Sequence, residues 1–233
     1  FFKTIPLTSN QKQVTSNQTT VNQKVFFITP PFTQLNTPYP ATAYLKGFLN
    51  TKNIESHQAD LGIEVILRLF SKQGLEQLFA EVEELEGEFS ENAIRIIHLQ
   101  KYYLQTIDEV ISFLQDKNAT LAHVICEGSY LPEASRFQQM DDMEWAFGNM
   151  GMQDKAKHLA TLYLEDLGDL IKDIMDPHFG FSRYAERLGM SAHSFDELYE
   201  ELHLSSSYIA EIMLSILKER IAACDPTMVC LSV

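Results

Sequence analysis

The stretch Val25-Phe26-Phe27-Ile28-Thr29-Pro30-Pro31 is the strongest local indication of the fold. A short continuous apolar run closed by turn-forming residues is typical of a β-strand buried on both faces, as in a parallel sheet. Proline lacks the backbone N–H that a strand needs, so the Pro30-Pro31 pair marks the end of this run. The stretch therefore predicts a buried parallel strand over residues 25–30.

The residues that follow predict a helix and a second strand. A proline-rich loop leads into a helix over residues 41–50, and residues 54–60 read as a short strand that ends at Asp60. The helix carries an apolar face at helical spacing, formed by Ala41, Tyr44 or Leu45, and Phe48. Strand, helix and strand in this order form a βαβ unit, whose crossover is expected to be right-handed.

From about residue 63 the apolar residues recur with the helical period of 3.6. One stripe runs from Ile63 to Leu85, and a second runs from Ala93 to Leu114 with Lys101 as its one polar interruption. Further helices are predicted near residues 135–147, 152–175, 194–202 and 205–224. Asp225-Pro226 ends the last helix, and residues 227–233 are predicted to form another buried strand.

This order predicts an α/β chain in which a long helical insertion separates the second strand from the third. Four segments follow from it: a polar leader over residues 1–24, the first βαβ part over 25–62, the helical insertion over 63–225 and the third strand over 226–233. The chain starts at Phe1 and stops inside a predicted strand, so we expect it to be a piece of a longer protein.

The composition excludes several classes of protein. Apolar residues make up 45% of the 233 residues, so most of the chain is expected to be globular. The net charge of −14 argues against binding to nucleic acid or an anionic membrane. No apolar run approaches the roughly 18–20 residues of a membrane span. Three cysteines without close spacing argue against a secreted disulfide scaffold, so a reducing cytoplasm is the expected location.

The loop over residues 29–40 is the first candidate binding site. Ligands of open parallel sheets bind at the carboxyl ends of the strands, where this loop begins. The loop contains four prolines and two aromatic residues but no glycine, so it is neither a dinucleotide-binding loop nor a P-loop. Its stiffness suits a broad apolar ligand better than a pyrophosphate, and a rigid connector without a ligand is the alternative.

Asp60 is the second candidate, because it stands at the predicted end of the second strand. Its carboxylate suits either a ribose hydroxyl in a nucleotide fold or the cap of the helix that starts near Ile63. The seven histidines and three cysteines show no spacing typical of a metal site, and we predict neither a metal ligand nor a catalytic residue in this chain.

Several of these segments, in this order, resemble the start of the cobalamin-binding domain of cobalamin-dependent radical SAM proteins. In that family the first strand ends in Pro-Pro, the first helix carries a Leu-x-Gly-x-Leu-like segment, the second strand ends in Asp, and the next strand commonly follows Asp-Pro. The matching segments are Val25 to Pro31, Tyr39-Pro40, Leu45 to Leu49, Ala59 to Leu61, Tyr130 to Phe137 (as in members with a long helical insertion), and Asp225 to Val233.

The resemblance implies an incomplete Rossmann-like, flavodoxin-like parallel sheet that holds cobalamin over the carboxyl ends of its strands. It also implies a downstream radical SAM domain, absent from this chain, that binds S-adenosylmethionine and a [4Fe–4S] cluster. The radical chemistry would be carried by that domain, the expected partner of this one. The expected cobalamin-facing residues are Thr29, Pro30, Pro31, Phe32, Asn36 and Tyr39, with Asp60 as a weaker contributor.

The sequence departs from the family pattern in two ways. It has no CxxxCxxC motif for the cluster, and no Asp-x-His-x-x-Gly motif, by which other cobalamin domains supply a histidine to cobalt. Many radical SAM members also lack that histidine.

Two other functions are compatible with the same sequence. One is a non-catalytic, acidic helical protein-interaction module, in which the βαβ part anchors a helical bundle. The other is a flavodoxin-like nucleotide-binding protein, which the glycine-free first loop disfavours. In each case the apolar third strand is expected to pair with another part of the chain or with a second copy, because unpaired strand edges associate.

Overall fold

The computed structural model describes residues 23–30, 35, 40–142, 151–177, 179–181 and 194–231. It contains a three-stranded parallel sheet formed by β1 (Lys24–Thr29), β2 (Glu55–Asp60) and β3 (Met228–Leu231). The strand order is β2-β1-β3, so the first strand lies in the middle. The fold is therefore α/β, as the sequence predicts.

β1 is the buried centre of the sheet. Val25, Phe26, Phe27 and Ile28 are all buried, and so is Thr29. Burial of consecutive residues means that both faces of the strand are covered, which confirms the prediction made from this stretch. Of the predicted leader, residues 1–24, only the last two are described, and Lys24 already belongs to β1.

Helix α1 (Ala41–Thr51) connects β1 to β2 and packs against both strands. Its apolar face, however, points away from the sheet: Tyr44 is 78% exposed and Phe48 is 58% exposed, and Leu45 is exposed too. Thr42 is the one fully buried residue of this helix. The apolar stripe of α1 is correct as a pattern, but it does not form the contact with the sheet.

The prediction of a buried third strand is wrong for β3. Met228, Val229 and Leu231 are all exposed, and Leu231 is 65% exposed. The strand pairs with β1 in the register Phe26 to Val229 and Ile28 to Leu231, and no other described strand lies on its outer side. Phe26 and Ile28 are covered by the helical layer, whereas their neighbours in β3 extend beyond it.

The chain between β2 and β3 is helical wherever regular structure is described. The helices are α2 (Leu61–Leu69), α3 (Lys72–Glu83), α4 (Glu91–His98), α5 (Gln100–Leu114), α6 (Leu121–Cys126), a 3-10 helix (Ser135–Asp142), α7 (Met152–Ile174), α8 (Phe195–Glu201) and α9 (Tyr208–Cys224). The helix predicted near residues 135–147 is a 3-10 helix as far as Asp142, and its remainder lies outside the described residues. The short helix α6 is not among the predicted elements.

Each predicted apolar stripe is shared by two helices. The first is interrupted after Phe70, where the side chain of Ser71 accepts a hydrogen bond from the Gly74 amide and caps α3. Gly74 lies so close to the carbonyl groups of Arg68 and Leu69 that a Cβ atom would collide with them. The second is interrupted at Leu99, between α4 and α5.

The deepest face of the second stripe differs from the predicted one. Ile94 and Lys101 are exposed, and Ile111 and Leu114 are only half-buried. Two of the predicted residues, Ala93 and Ile107, are fully buried, and the other fully buried residues are neighbours of predicted ones, namely Ile96, Tyr103, Val110 and Phe113. The predicted and the observed buried residues recur with the same helical period on one wide apolar face. The period alone therefore does not show which of them are buried.

Packing joins the sheet and the helices into one hydrophobic core that contains Phe26, Ile28 and Ala59 together with the buried residues of the helices. Helix α9 lies against α2, where Arg68 donates two hydrogen bonds to Glu219 (2.7 and 2.9 Å). Among the described helices, none is both long enough and apolar enough to cross a membrane.

Candidate functional site

The carboxyl ends of β1 and β2 bring together two of the predicted site residues. Thr29 and Asp60 are register partners at the last positions of the two strands. Thr29 is buried, and Asp60 and Pro30 are half-buried. The other four, Pro31, Phe32, Asn36 and Tyr39, lie outside the described residues.

A cleft of about 590 Å³ opens at this edge of the sheet, and we call it the strand-end cleft. The ends of β1 and β2 form its floor, and the first turns of α1 and α2 form its walls. The described residues that line it are Thr29, Leu35, Pro40, Thr42, Ala43, Gln58, Ala59, Asp60, Ile63 and Glu64. Its volume lies within the range of about 300–1,000 Å³ typical of small-molecule sites.

Asp60 caps α2. Its Oδ1 accepts a hydrogen bond from the backbone amide of Ile63 at 3.1 Å, in the extended conformation typical of an N-cap residue. Of the two roles that the sequence allows for the Asp60 carboxylate, the structure therefore shows the helix cap. This bond fixes the start of α2, and with it the wall that carries Ile63 and Glu64. Asp60 thus has a positioning role in the cleft.

The polarity of the cleft limits the ligands that it fits. Two acids, Asp60 and Glu64, line it, and no basic residue is among its described lining residues. Glu64 Oε2 accepts a hydrogen bond from Arg220 Nε at 2.7 Å, so part of its charge is balanced from α9. A phosphate or pyrophosphate would meet two carboxylates, and the described cation beside them, Arg220, is already paired with Glu64, so the arrangement favours a ligand that is uncharged on this side.

The described residues show no metal centre. They contain no group of three or more histidine, cysteine or acidic side chains placed to hold an ion. His57, in the middle of β2, has its Nε2 3.1 Å from Glu55 Oε1. It shares a register position with Phe26, whereas Asp60 shares one with Thr29, so the two side chains lie on opposite faces of the sheet.

A second polar cluster lies in the helical part. Asp166 is fully buried, and its two oxygens accept the backbone amides of Ala134 (3.1 Å) and Arg136 (3.0 Å). Burial raises the pKa of Asp166 to about 6, although these two hydrogen bonds act in the opposite direction. Arg136 in turn donates to both oxygens of Asp169, at 2.6 and 2.7 Å. Asp166 and Asp169 therefore hold the segment Tyr130 to Phe137 on α7.

Asp166 was not singled out in the sequence, although a signal for it is present. It lies within the apolar stripe of α7, next to Leu167 and one turn after Tyr163, at a position where periodicity calls for an apolar residue. A lone acid on a buried helical face must find hydrogen-bond donors. The sequence alone does not show that these donors come from residues 134 and 136.

A third buried cluster joins α5 and α7. The Tyr163 hydroxyl lies 3.0 Å from Thr106 Oγ1 and donates to the Tyr103 carbonyl at 3.2 Å. Burial raises the pKa of both tyrosines above the ordinary value. These groups are deep in the core and line none of the described clefts, so their role is structural.

Comparison with protein-family models, with curated proteins and with solved structures finds no match to this chain. A functional proposal therefore rests on the chain's own residues and on the geometry of the strand-end cleft.

Proposed function

We propose that this chain is the N-terminal cobalamin-binding region of a cobalamin-dependent radical SAM protein. The observation that carries the proposal is the strand order β2-β1-β3 in a parallel sheet with a cleft at its carboxyl edge. This order is that of the first three strands of flavodoxin-like, doubly wound sheets, which hold their ligand outside the carboxyl ends of the strands. The quoted sequence segments of the family support the same proposal.

The chemistry of the strand-end cleft fits a corrin. A corrin is a broad, flat ring whose rim carries amide side chains, so it needs apolar surface below and uncharged hydrogen-bonding groups around it. Pro40, Ala43 and Ile63 supply apolar surface, while Thr42 and Gln58 supply hydroxyl and amide groups. In this proposal His57 is not the cobalt ligand, because it lies on the opposite face from Asp60.

Bound cobalamin would supply an organometallic cobalt centre for methyl transfer or a radical rearrangement. This chain would contribute binding and orientation. Thr29, at the end of β1, would line the cofactor site, Pro30 follows it in the loop, and Asp60 fixes the start of α2 through the Ile63 amide. S-adenosylmethionine and the [4Fe–4S] cluster would be held by the expected downstream domain. All three cysteines of this chain are free thiols, in keeping with the cytoplasmic location that we propose.

The experiment is a titration of the longest natural form of the protein with hydroxocobalamin, followed by the visible absorption spectrum. Ala43→Trp fills the cleft from an exposed position of α1, and Ala222→Trp makes the same change at an exposed position of α9 outside it. We expect Ala43→Trp to weaken binding at least about tenfold, as for a steric block of a ligand site, and Ala222→Trp to leave it unchanged. A folded protein that shows no spectral change, or equal effects of the two variants, would overturn the proposal.

A second proposal concerns the apolar third strand, β3. Its exposed side chains are apolar and uncharged, its outer edge meets no described strand, and neither proline nor charge protects that edge. We propose that this edge pairs with a further strand, either from the expected downstream part or from a second copy of the chain. Leu231→Lys places a charge on it, and Leu204→Lys places the same charge on an equally exposed leucine elsewhere.

Light scattering distinguishes these outcomes. If copies pair through β3, the chain has more than the monomer mass, Leu231→Lys restores the monomer and Leu204→Lys does not. A strict monomer at all concentrations, with β3 amides that exchange as fast as an unpaired terminus, would contradict the pairing of this edge.

A further inference from the structure

A second concave surface lies between three helices of the insertion. Its volume is about 420 Å³, and most of its apolar lining residues belong to the hydrophobic core or pack against it. We call it the helical groove. Its apolar lining comes from α2, α5, α7 and the segment after α7, namely Ile66, Leu67, Ile111, Leu114, Leu164 and Phe181.

Most of these side chains are half-buried, with part of each apolar surface turned into the groove. The half-buried apolar side chains therefore converge on one concavity. Ile111 and Leu114 belong to the apolar stripe that the sequence places in the core. These two side chains of α5 therefore form part of the wall of this groove.

The polar groups at its rim are largely engaged elsewhere. Thr161 Oγ1 donates to the Lys157 carbonyl at 2.9 Å, and Gln115 Oε1 accepts from Lys117 at 2.6 Å. Glu165 Oε2 lies 3.6 Å from Arg136. A molecule in the groove would thus be held by apolar contacts, and few hydrogen bonds would fix its orientation.

Charge narrows the class of ligand further. Glu165 is the one ionisable group among the described lining residues, and the chain as a whole carries −14. An anionic headgroup beside Glu165 would be repelled, because the neighbouring cation, Arg136, is outside the described lining of the groove and already donates two hydrogen bonds to Asp169. The groove therefore suits an uncharged hydrocarbon chain and disfavours a fatty-acid anion.

Leu35 connects this groove to the strand-end cleft. It belongs to the loop after β1, packs against the hydrophobic core, and lines both cavities. The Leu35 side chain thus borders both the helical groove and the strand-end cleft. A molecule lying in the groove would point one end toward the carboxyl edge of the sheet.

We infer that the helical groove binds the uncharged, extended apolar portion of a small molecule. Where the proposed cobalamin function holds, on which this second step rests, that molecule is the substrate, and its reacting end faces the strand-end cleft past Leu35. The helical insertion is then a substrate-binding element of the same site.

The test uses the uncharged dye Nile red as a fluorescent probe and displaces it with 1-hexanol, 1-octanol and 1-decanol. Each added methylene group is expected to tighten displacement about fourfold while the groove has room. Decanoate, with the same chain and a negative charge, is expected to bind at least about tenfold more weakly than decanol.

Substitutions show whether Nile red binds in the helical groove. Leu114→Gln and Leu164→Gln make the walls of the groove polar and should weaken Nile red at least about tenfold, since each removes a large apolar contact. Phe48→Gln changes the exposed apolar face of α1 and should leave the affinity unchanged. Circular dichroism must show the same helix content for all three variants.

The outcomes separate the inference from the proposed function. Equal affinities of the groove variants and Phe48→Gln, or displacement that does not depend on chain length, would overturn the groove as a site. Chain-length-dependent binding that the groove variants abolish supports the groove. If hydroxocobalamin does not bind to the same samples, the groove stands and its assignment to a cobalamin substrate is overturned.

Discussion

The helix α5 and the helix α1, which lies beside the sheet, bury their large apolar side chains to very different degrees. Phe113 of α5 is 1% exposed, whereas Phe48 of α1 is 58% exposed. The helices enclose a core whose polar groups are mostly paired, including Asp166 and Tyr163. The sheet leaves β3 and one face of α1 uncovered. The difference teaches that α5 and α7 form the closed centre of the core, while β3 and α1, and also α8 with Phe195 (69% exposed), keep apolar surface available for a ligand or a partner.

The strongest test of this contrast is a pair of identical substitutions. Phe113→Ala should lower the free energy of unfolding by about 3–5 kcal/mol, because it removes a buried ring and leaves a cavity. Phe48→Ala should lower it by less than about 1 kcal/mol, because the ring is already in solvent. Urea unfolding followed by circular dichroism measures both. Similar losses for the two variants would mean that the face of α1 is covered in solution.

The next largest expected effect is a pH dependence of the free energy of unfolding that Asp166 causes. Its pKa is raised from 3.8 to about 6, so the folded state binds a proton more readily than the unfolded state. Its contribution to stability therefore increases as the pH falls through 6, and is complete below the unfolded value. Relative to Asp166→Asn, wild type should gain about 2 kcal/mol between pH 7.5 and 4.5.

The control for this pH effect is Asp173→Asn, on an exposed position of the same helix. Unfolding midpoints at several pH values are compared as differences from wild type, which removes the contribution of the other acids. A difference between wild type and Asp166→Asn that stays constant over this range would show that Asp166 reaches solvent.

Two tyrosines sharpen the contrast within the core itself. Tyr163→Phe removes the hydroxyl that bonds to Thr106 and to the Tyr103 carbonyl, and should cost about 1–2 kcal/mol. Tyr103→Phe removes a buried hydroxyl that has no hydrogen-bond partner among the described residues, and should be neutral or stabilising. Thermal unfolding of the two variants side by side measures the difference, and a larger loss for Tyr103→Phe would show that its hydroxyl is bonded in solution.

The smallest effect concerns the surface contact between α2 and α9. Arg68→Ala removes the bidentate pair with Glu219, which lies in solvent. Exposed pairs contribute little and are screened by salt, so the melting temperature should fall by at most about 3 °C at low salt. In 1 M NaCl wild type and variant should melt together. A difference that persists at high salt would show that the pair is a main attachment of α9.

The sequence predicts those parts of the fold that depend on local pattern. The apolar run at Val25 to Ile28 places β1 and the aspartate at position 60 places the end of β2, whereas the structure decides between the two roles predicted for Asp60 in favour of the cap of α2. The exposure of β3 is not predictable in this way, because an apolar strand reads the same whether or not a helix covers it. Nor is the outward face of α1, since periodicity shows that a stripe exists and not what it contacts.

In the candidate site, too, some features follow from the local sequence and others depend on how the helices pack. Thr29 and Asp60 follow from the rule that ligands bind at strand ends, and the register brings them together. The remaining predicted residues of the loop lie outside the described part of the chain. Leu35 and the helical groove could not be predicted, because their proximity depends on how α2, α5 and α7 pack in three dimensions.

The central place of β1 has a consequence for synthesis of the protein. Lys24 and Thr227, which exchange hydrogen bonds at the start of the β1–β3 pair, are 203 residues apart. At about 5–20 residues per second, a ribosome needs roughly 10–40 s to add that much chain. During this interval Phe26 and Phe27 have no β3 to pair with, while the helices can already form from local contacts. Until β3 has been added, the nascent chain therefore carries an unpaired apolar strand, and its yield in cells should depend on chaperones that bind such segments.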